Sequence, residues 1–286
     1  MTNTSLIKKI ALLVISALFF AGCTTMIEGQ HLHAFRKTFN YKTYRFASEK
    51  AIKRTVAEYN KTVSEPVDKT MAHALLGIVW FIADKSDYSF IEADMIRETS
   101  TNETKILAMG LQSIALSKME CPRLARVYFN ELKTSFTSQQ KSNPHFNDVE
   151  HKMMLISLIA ASLYQDDLDM AKWTADTLGT GSQLDYLPPL VGAVVETKKG
   201  SPLKAMKQLQ ELSKNQKFSE HHKTLFLESA DIIKSCPEQE QLGQELADKL
   251  ILQVVKGALD DVFSNENQQA FLKNVMTFSD QFTKGK

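Results

Sequence analysis

Few residues in this chain have the types and spacing that chemistry asks for. Cys23 closes an apolar run, residues 10–20, followed by the small pair Ala21-Gly22; a thiol so placed is a nucleophile that can carry a covalent group. Cys121 and Cys236 each precede a proline at an expected helix start, where free amides would lower a thiol pKa. His31-x-His33 and His221-His222 are paired imidazoles, and Asp166, Asp167 and Asp169 form an acidic cluster. Adjacent histidines on a helix point about 100° apart and do not readily share one metal, and no acid stands at His-Glu-x-x-His spacing. The aspartates fall in a turn before a helix, where carboxylates accept hydrogen bonds from free amides, and neither Asp166 nor Asp167 begins a loop with the glycine and glutamate of a calcium hand. The glycine-rich stretch at 179–182 follows a helix and lacks the strand and lysine of a phosphate loop. The aspartates therefore read as caps, the glycines as a helix stop, and the paired histidines as solvated or capping groups. His73, inside an apolar helix, reads as a hydrogen-bonded core histidine, and Trp80 and Trp173 read as core. The sequence predicts no catalytic residue, no cofactor and no metal site.

Cys23 is the exception. Residues 1–9 carry Lys8 and Lys9 and no acid, and residues 10–20 contain a single polar side chain, Ser16. That run is too short to cross a bilayer core, which takes about 20 apolar residues, and has the length of a signal-peptide core. The sequence Phe20-Ala21-Gly22-Cys23 resembles the lipobox of bacterial lipoproteins, with Phe20 where an aliphatic residue is usual. The resemblance implies that 1–22 is a signal removed on maturation. It implies that Cys23 becomes the first residue and takes a diacylglycerol on its thiol and an acyl group such as palmitate on its amine. Two or more acyl chains anchor stably where one is marginal. In that family an aspartate after the cysteine retains the protein in the inner membrane. Thr24 here implies the inner leaflet of the outer membrane, with the body facing the periplasm.

Positioning falls to the remaining chain. The 286-residue sequence has 34 basic and 33 acidic residues; removing Lys8 and Lys9 leaves 32 against 33, a net charge of −1 with histidines neutral. Such a chain has no global attraction for nucleic acid or anionic lipid. Gly 11 and Pro 7 are low for this length and favour helix. Residues 23–46 read as a lipidated tether whose aromatics dock on the body or on a partner. Residues 47–286 read as one α-helical domain: a polar helix over 47–63, a buried helix near 71–83 capped by Asp68, and helices at 88–98, 220–235, 238–256 and 265–283. The last of these is expected to cap the final repeat.

Between about 101 and 256 a pattern recurs. Ala125, Phe129 and Leu132, then Ala171, Ala175 and Leu178, then Ala205, Leu209 and Leu212 each place a small residue, a residue four later and a leucine seven later on one helix face. Ala171 and Ala205 are 34 residues apart; Ala125 and Ala171 are 46 apart, a difference supplied by the polar stretch near 137–148. The pattern resembles the tetratricopeptide-like family of helix-hairpin repeats, without its characteristic tryptophan and closing proline. The fold class expected is all-α: hairpins stacked as a tetratricopeptide-like solenoid, or a related irregular helical bundle. Cys121 and Cys236 would lie about three repeats apart. With helix layers spaced about 10 Å, they are expected to be unpaired.

A solenoid presents a concave face to peptides or proteins. The chain is thus expected to be a membrane-anchored, non-catalytic periplasmic scaffold that binds envelope proteins. Its expected partners are those proteins and the bilayer, through acylated Cys23, and not nucleic acid. Two alternatives remain, a cell-wall-active enzyme, which would need two converging carboxylates, and a carrier of lipid or another small ligand, which would need a closed apolar cavity.

Overall fold

The structure, a computed structural model, describes residues 25–34, 41–61, 63, 66–99, 102–142, 148–180, 183–235 and 243–284. Among them all regular structure is helical, as the composition and periodicity predict. A first helix, α1, covers 25–34. It is followed by α2 (Tyr41–Tyr59), α3 (Lys69–Ile82), α4 (Ser86–Thr99), α5 (Asn102–Lys118), α6 (Pro122–Ser142), α7 (Asp148–Tyr164), α8 (Leu168–Gly179), α9 (Leu187–Lys198), α10 (Pro202–Leu212), α11 (Glu220–Lys234), α12 (Gly243–Val262) and α13 (Glu266–Lys284). The stretch expected as a tether thus contains α1 and the opening turns of α2. The stretch expected to be inserted between repeats is helical through Ser142, because it lengthens α6.

Four hairpins, α3–α4, α5–α6, α7–α8 and α9–α10, share one turn. In each, the first helix ends on a residue in the left-handed region: Asp84 (φ 56°), Glu120 (φ 59°), Asp166 (φ 58°) and Gly200 (φ 78°). The next amide then bonds back five residues, Lys85 N to Trp80 O at 2.8 Å, Cys121 N to Leu116 O at 2.9 Å, Asp167 N to Ser162 O at 2.9 Å and Ser201 N to Glu196 O at 2.9 Å. This is a Schellman ending, which satisfies carbonyls the helix leaves open. The residue after each turn starts the second helix, and four positions on stand Ser89, Ala125, Ala171 and Ala205, all fully buried. A small side chain there lets the two helices of a hairpin approach closely. The repeat therefore begins one unit earlier than the alanines alone indicate. Serine holds the small position in the first hairpin, and Ala93 and Ile96 follow at four and seven.

The first helices of these hairpins face inward; α6, α8 and α10 expose one side, whereas α4 is buried nearly all round, from Tyr88 to Ala93 without a break. Asp68 caps α3 as expected, its carboxylate accepting from Met71 N at 2.7 Å, a contact worth about 1 kcal/mol. Residues Met71 to Phe81 of α3 are all buried. An open solenoid would leave the inner face free. Here α12 lies against α7, α9 and the edge of α3, and one apolar core runs through all of them. The last helix does not cap the final repeat: α13 returns to α2 and α3. Phe271 meets Tyr59 (ring centroids 4.8 Å apart) and Phe282 meets Tyr44 (5.2 Å), so α13 runs antiparallel to α2. The repeat pattern is real, but its concave side is filled by the chain's own C-terminal helices. No helix among the described residues is long and apolar enough to cross a membrane.

Candidate functional site

Because the hairpin turns share one geometry, they line up along one edge of the stack. There the turns after α3, α5 and α7, together with Asp248 of α12, enclose a cleft of about 720 Å³. Its walls carry Asp84, Lys118, Glu120, Arg123, Arg126, Asp166 and Asp248, with Ser117, Gln165 and Tyr164 between them. Several charges are neutralised locally: Lys118 Nζ lies 2.9 Å from Asp84, and Lys198 reaches Asp166 at 2.8 Å. Gln165 donates to the Ser117 hydroxyl at 2.9 Å. Arg123 and Arg126, one turn apart at the start of α6, have no ion partner among the described residues.

Tyr164 is the most informative wall residue. It is 8% exposed, and its hydroxyl has no hydrogen-bond partner among the described residues. The ring packs edge-on against Phe81 (6.0 Å between centroids). Burial, then the carboxylates of Asp248 and Asp84, push its phenol far up. A phenol held protonated is a hydrogen-bond donor and not a base. The site can offer two guanidinium forks to a carboxylate or phosphate, while the Tyr164 hydroxyl lies buried behind its wall. A second depression of about 590 Å³ continues along the same edge, with Arg126, Gln165 and Asp166 lining both.

The residues singled out in the sequence fall as follows. Cys23 and Cys236 lie outside the described residues. Asp167 is a cap, accepting from Met170 N at 3.2 Å; Asp166 is the left-handed turn residue and Asp169 sits in the first turn of α8. His31 and His33 are exposed on α1. His221 is exposed, but His222 is not the solvated group expected: it is buried, with Nε2 3.1 Å from Asp261 and its ring stacked on Tyr186 at 4.1 Å. His73 is a core histidine as read, with Nδ1 2.6 Å from Glu92 Oε2. Trp80 is fully buried, whereas Trp173 is 43% exposed on the outer face of α8, edge-on to Phe136 of α6. Among the described residues no group of three or more His, Cys, Asp or Glu is placed to hold a metal ion.

Cys121 departs from its expectation in sign. It starts α6, yet burial first, then the carboxylates of Glu28 and Glu120, raise its thiol pKa. The free amide that would have stabilised a thiolate, Leu124 N, is instead bonded to Glu28 at 2.8 Å. Alkylation of Cys121 at pH 8, read by mass spectrometry, is expected to run slower than that of a free cysteine. Glu28→Gln, which removes one of the two charges, is expected to speed it. A Cys121 as fast as free thiol in the native protein would contradict this arrangement.

The cleft itself was not read from the sequence. Its signal was present in the acidic residue that ends each of the first three hairpin helices, but only alignment of all four turns brings those residues to one edge. No protein family, no curated protein and no solved structure matches this chain.

Proposed function

We propose that this chain is a lipid-anchored, non-catalytic adaptor of the bacterial envelope, held at the outer membrane through Cys23 and facing the periplasm, and that it binds its protein partner at the turn edge and not in a concave groove. The observation that carries this reading is the cleft beside α6: two arginines without ion partners among the described residues, on a body whose inner face is filled by α12. Groups left unsatisfied on a rigid scaffold are where a partner gains most, because binding completes bonds that folding did not. The carrier alternative asks for a closed apolar cavity, whereas the clefts along this edge are lined by charged and polar side chains.

The test has two arms. Palmitate labelling and membrane fractionation of the native chain and Cys23→Ser address the anchor: label and membrane association are expected to be lost together. A photo-crosslinker at Asn130, beside Arg126, addresses the binding edge. An envelope-protein adduct is expected there and not at Gln269 of α13, and Arg126→Glu is expected to reduce it at least tenfold. Retention of Cys23→Ser in the membrane would refute the anchor, and adducts indifferent to Arg126→Glu would refute the binding edge.

A further inference from the structure

We infer that α1 is a docked strut and not a flexible tether, and that it seats its own first turn on a phospholipid leaflet, with Met26 and Ile27 embedded at the headgroup boundary. The inference rests on acylation of Cys23.

Covalent reach sets the distance. Thr25, where α1 begins, is two residues from Cys23, a span of at most about 7 Å along any backbone path. Whatever the chain does in between, the acyl anchor and the first turn of α1 stay within that length. The helix is in turn fastened to the body. Glu28 accepts from Leu124 N at 2.8 Å and so supplies, from 96 residues away, the cap that α6 lacks in its own sequence. One turn later Leu32 is buried with Phe90, Ala115, Leu116 and Ala125. Glu28 and Leu32 lie four apart on the docked side of α1.

The opposite side carries Met26 (66% exposed) and Ile27 (50% exposed), the apolar residues closest to the anchor. Two exposed apolar side chains beside an acyl group will enter the same interface as that group, since helices of this kind seat their apolar face at the headgroup boundary. Near the docked end of α1 the turn edge carries Asp84, Glu120 and Asp166 together with Lys118, Arg123 and Arg126. The local charge is therefore mixed, which suits a zwitterionic leaflet such as one rich in phosphatidylethanolamine better than a strongly anionic one.

The experiment uses the full-length acylated protein, reconstituted in vesicles of phosphatidylethanolamine and phosphatidylcholine, with acyl chains on Cys23 verified by mass spectrometry. In a Cys121→Ser, Cys236→Ser background, spin labels are placed by Met26→Cys and, as a like-for-like exposed position elsewhere, by Leu227→Cys on α11. The Met26 label is expected to lose several-fold of its collision rate with an aqueous relaxing agent on reconstitution, and the Leu227 label to keep its own. Adding Glu28→Ala and Leu32→Ala together removes both contacts that fasten α1 to the body, and energy transfer from a donor on the body to labelled lipid is expected to fall several-fold. An acylated protein whose Met26 label stays as water-accessible as the Leu227 label overturns the strut while leaving the anchor intact. A chain bearing no acyl group overturns the anchor and the inference with it.

Discussion

Removing residues 243–286 is expected to leave a chain that no longer unfolds cooperatively. In an open repeat stack each unit contacts only its neighbours, so trimming the end costs stability in steps. In this chain α12 lies against α7, α9 and α3, and α13 closes over α2 and α3. Leu246, Leu250, Ile251, Val254, Val255, Leu259 and Val262 of α12 are all buried. Full burial of each such side chain is worth about 1.5–3 kcal/mol, so losing α12 forfeits roughly 10–20 kcal/mol, against a total stability of about 5–15 kcal/mol. It also exposes the inner faces of three other helices. The truncated protein should show a broad, non-sigmoidal loss of helical signal on heating, and binding of a hydrophobic dye already at 20 °C. A single substitution tests the same contact without deletion: Val254→Asp places a carboxylate at a position that is 0% exposed and is expected to cost at least about 4 kcal/mol. A truncated chain that melts in one sharp transition would restore the open solenoid and, with it, a free concave groove.

The contrast between what could and could not be read from residues follows from where each constraint acts. Asp68 and Asp167 were legible because a cap is a local event: the side chain bonds an amide three residues on, and nothing distant decides it. The repeat was legible wherever alanine marks the close approach, at Ala125, Ala171 and Ala205. It was missed at Ser89 because serine is a poor signal of burial, although its side chain is small enough for the same seam. The closure by α12 was not legible at all. Its apolar residues recur at the spacing any repeat helix would show, and the sequence does not say whether a helix continues a stack or folds back into it. That choice is made by shape, between an inner face left open by four hairpins and a helix apolar on more than one side. Trp173 and His222 were misread for the same reason. Burial at one position on a helix depends on which neighbour arrives there, and α12, carrying Asp261 to His222, arrives from 39 residues away.

The same limit applies to the turn edge. Nothing in the spacing of Glu120, Arg123 and Arg126 along the chain sets them apart. Only the stacking of hairpins gives them a common cleft with Tyr164, and only the return of α1 gives α6 its cap. A chain can thus show its repeats plainly and hide its surface, because repeats are written in spacing along the sequence while a binding edge is written in spacing across it.

Glu92 is where the second large effect is expected. The residue lies on α4, is 0% exposed, and ties three helices together. One carboxyl oxygen accepts from the hydroxyls of Tyr44 and Ser48 on α2, the latter at 2.5 Å, and the other lies 2.6 Å from His73 Nδ1 on α3. The Tyr44 hydroxyl accepts in turn from Trp80 Nε1–H at 2.6 Å, and the rings of Tyr44, Trp80, Tyr88 and Phe282 pack around it. Burial and the Glu92 charge hold the Tyr44 phenol well above its ordinary pKa, so it stays a donor. Glu92→Ala strips the acceptor from three groups at once in a place water does not reach. Breaking a buried polar pair costs about 3–5 kcal/mol, and the missing side chain adds a cavity. At roughly 2–4 °C per kcal/mol for a domain of this size, the melting temperature should fall by on the order of 10 °C. Tyr44→Phe removes one donor and orphans the Trp80 N–H, for about 1–3 kcal/mol. Because both changes act on the same carboxyl, the double variant should lose less than the two single losses added together. A loss below about 1 kcal/mol for Glu92→Ala, or strict additivity with Tyr44→Phe, would mean that these side chains do not share the network and that α2 is held by its other contacts to α3, α4 and α13.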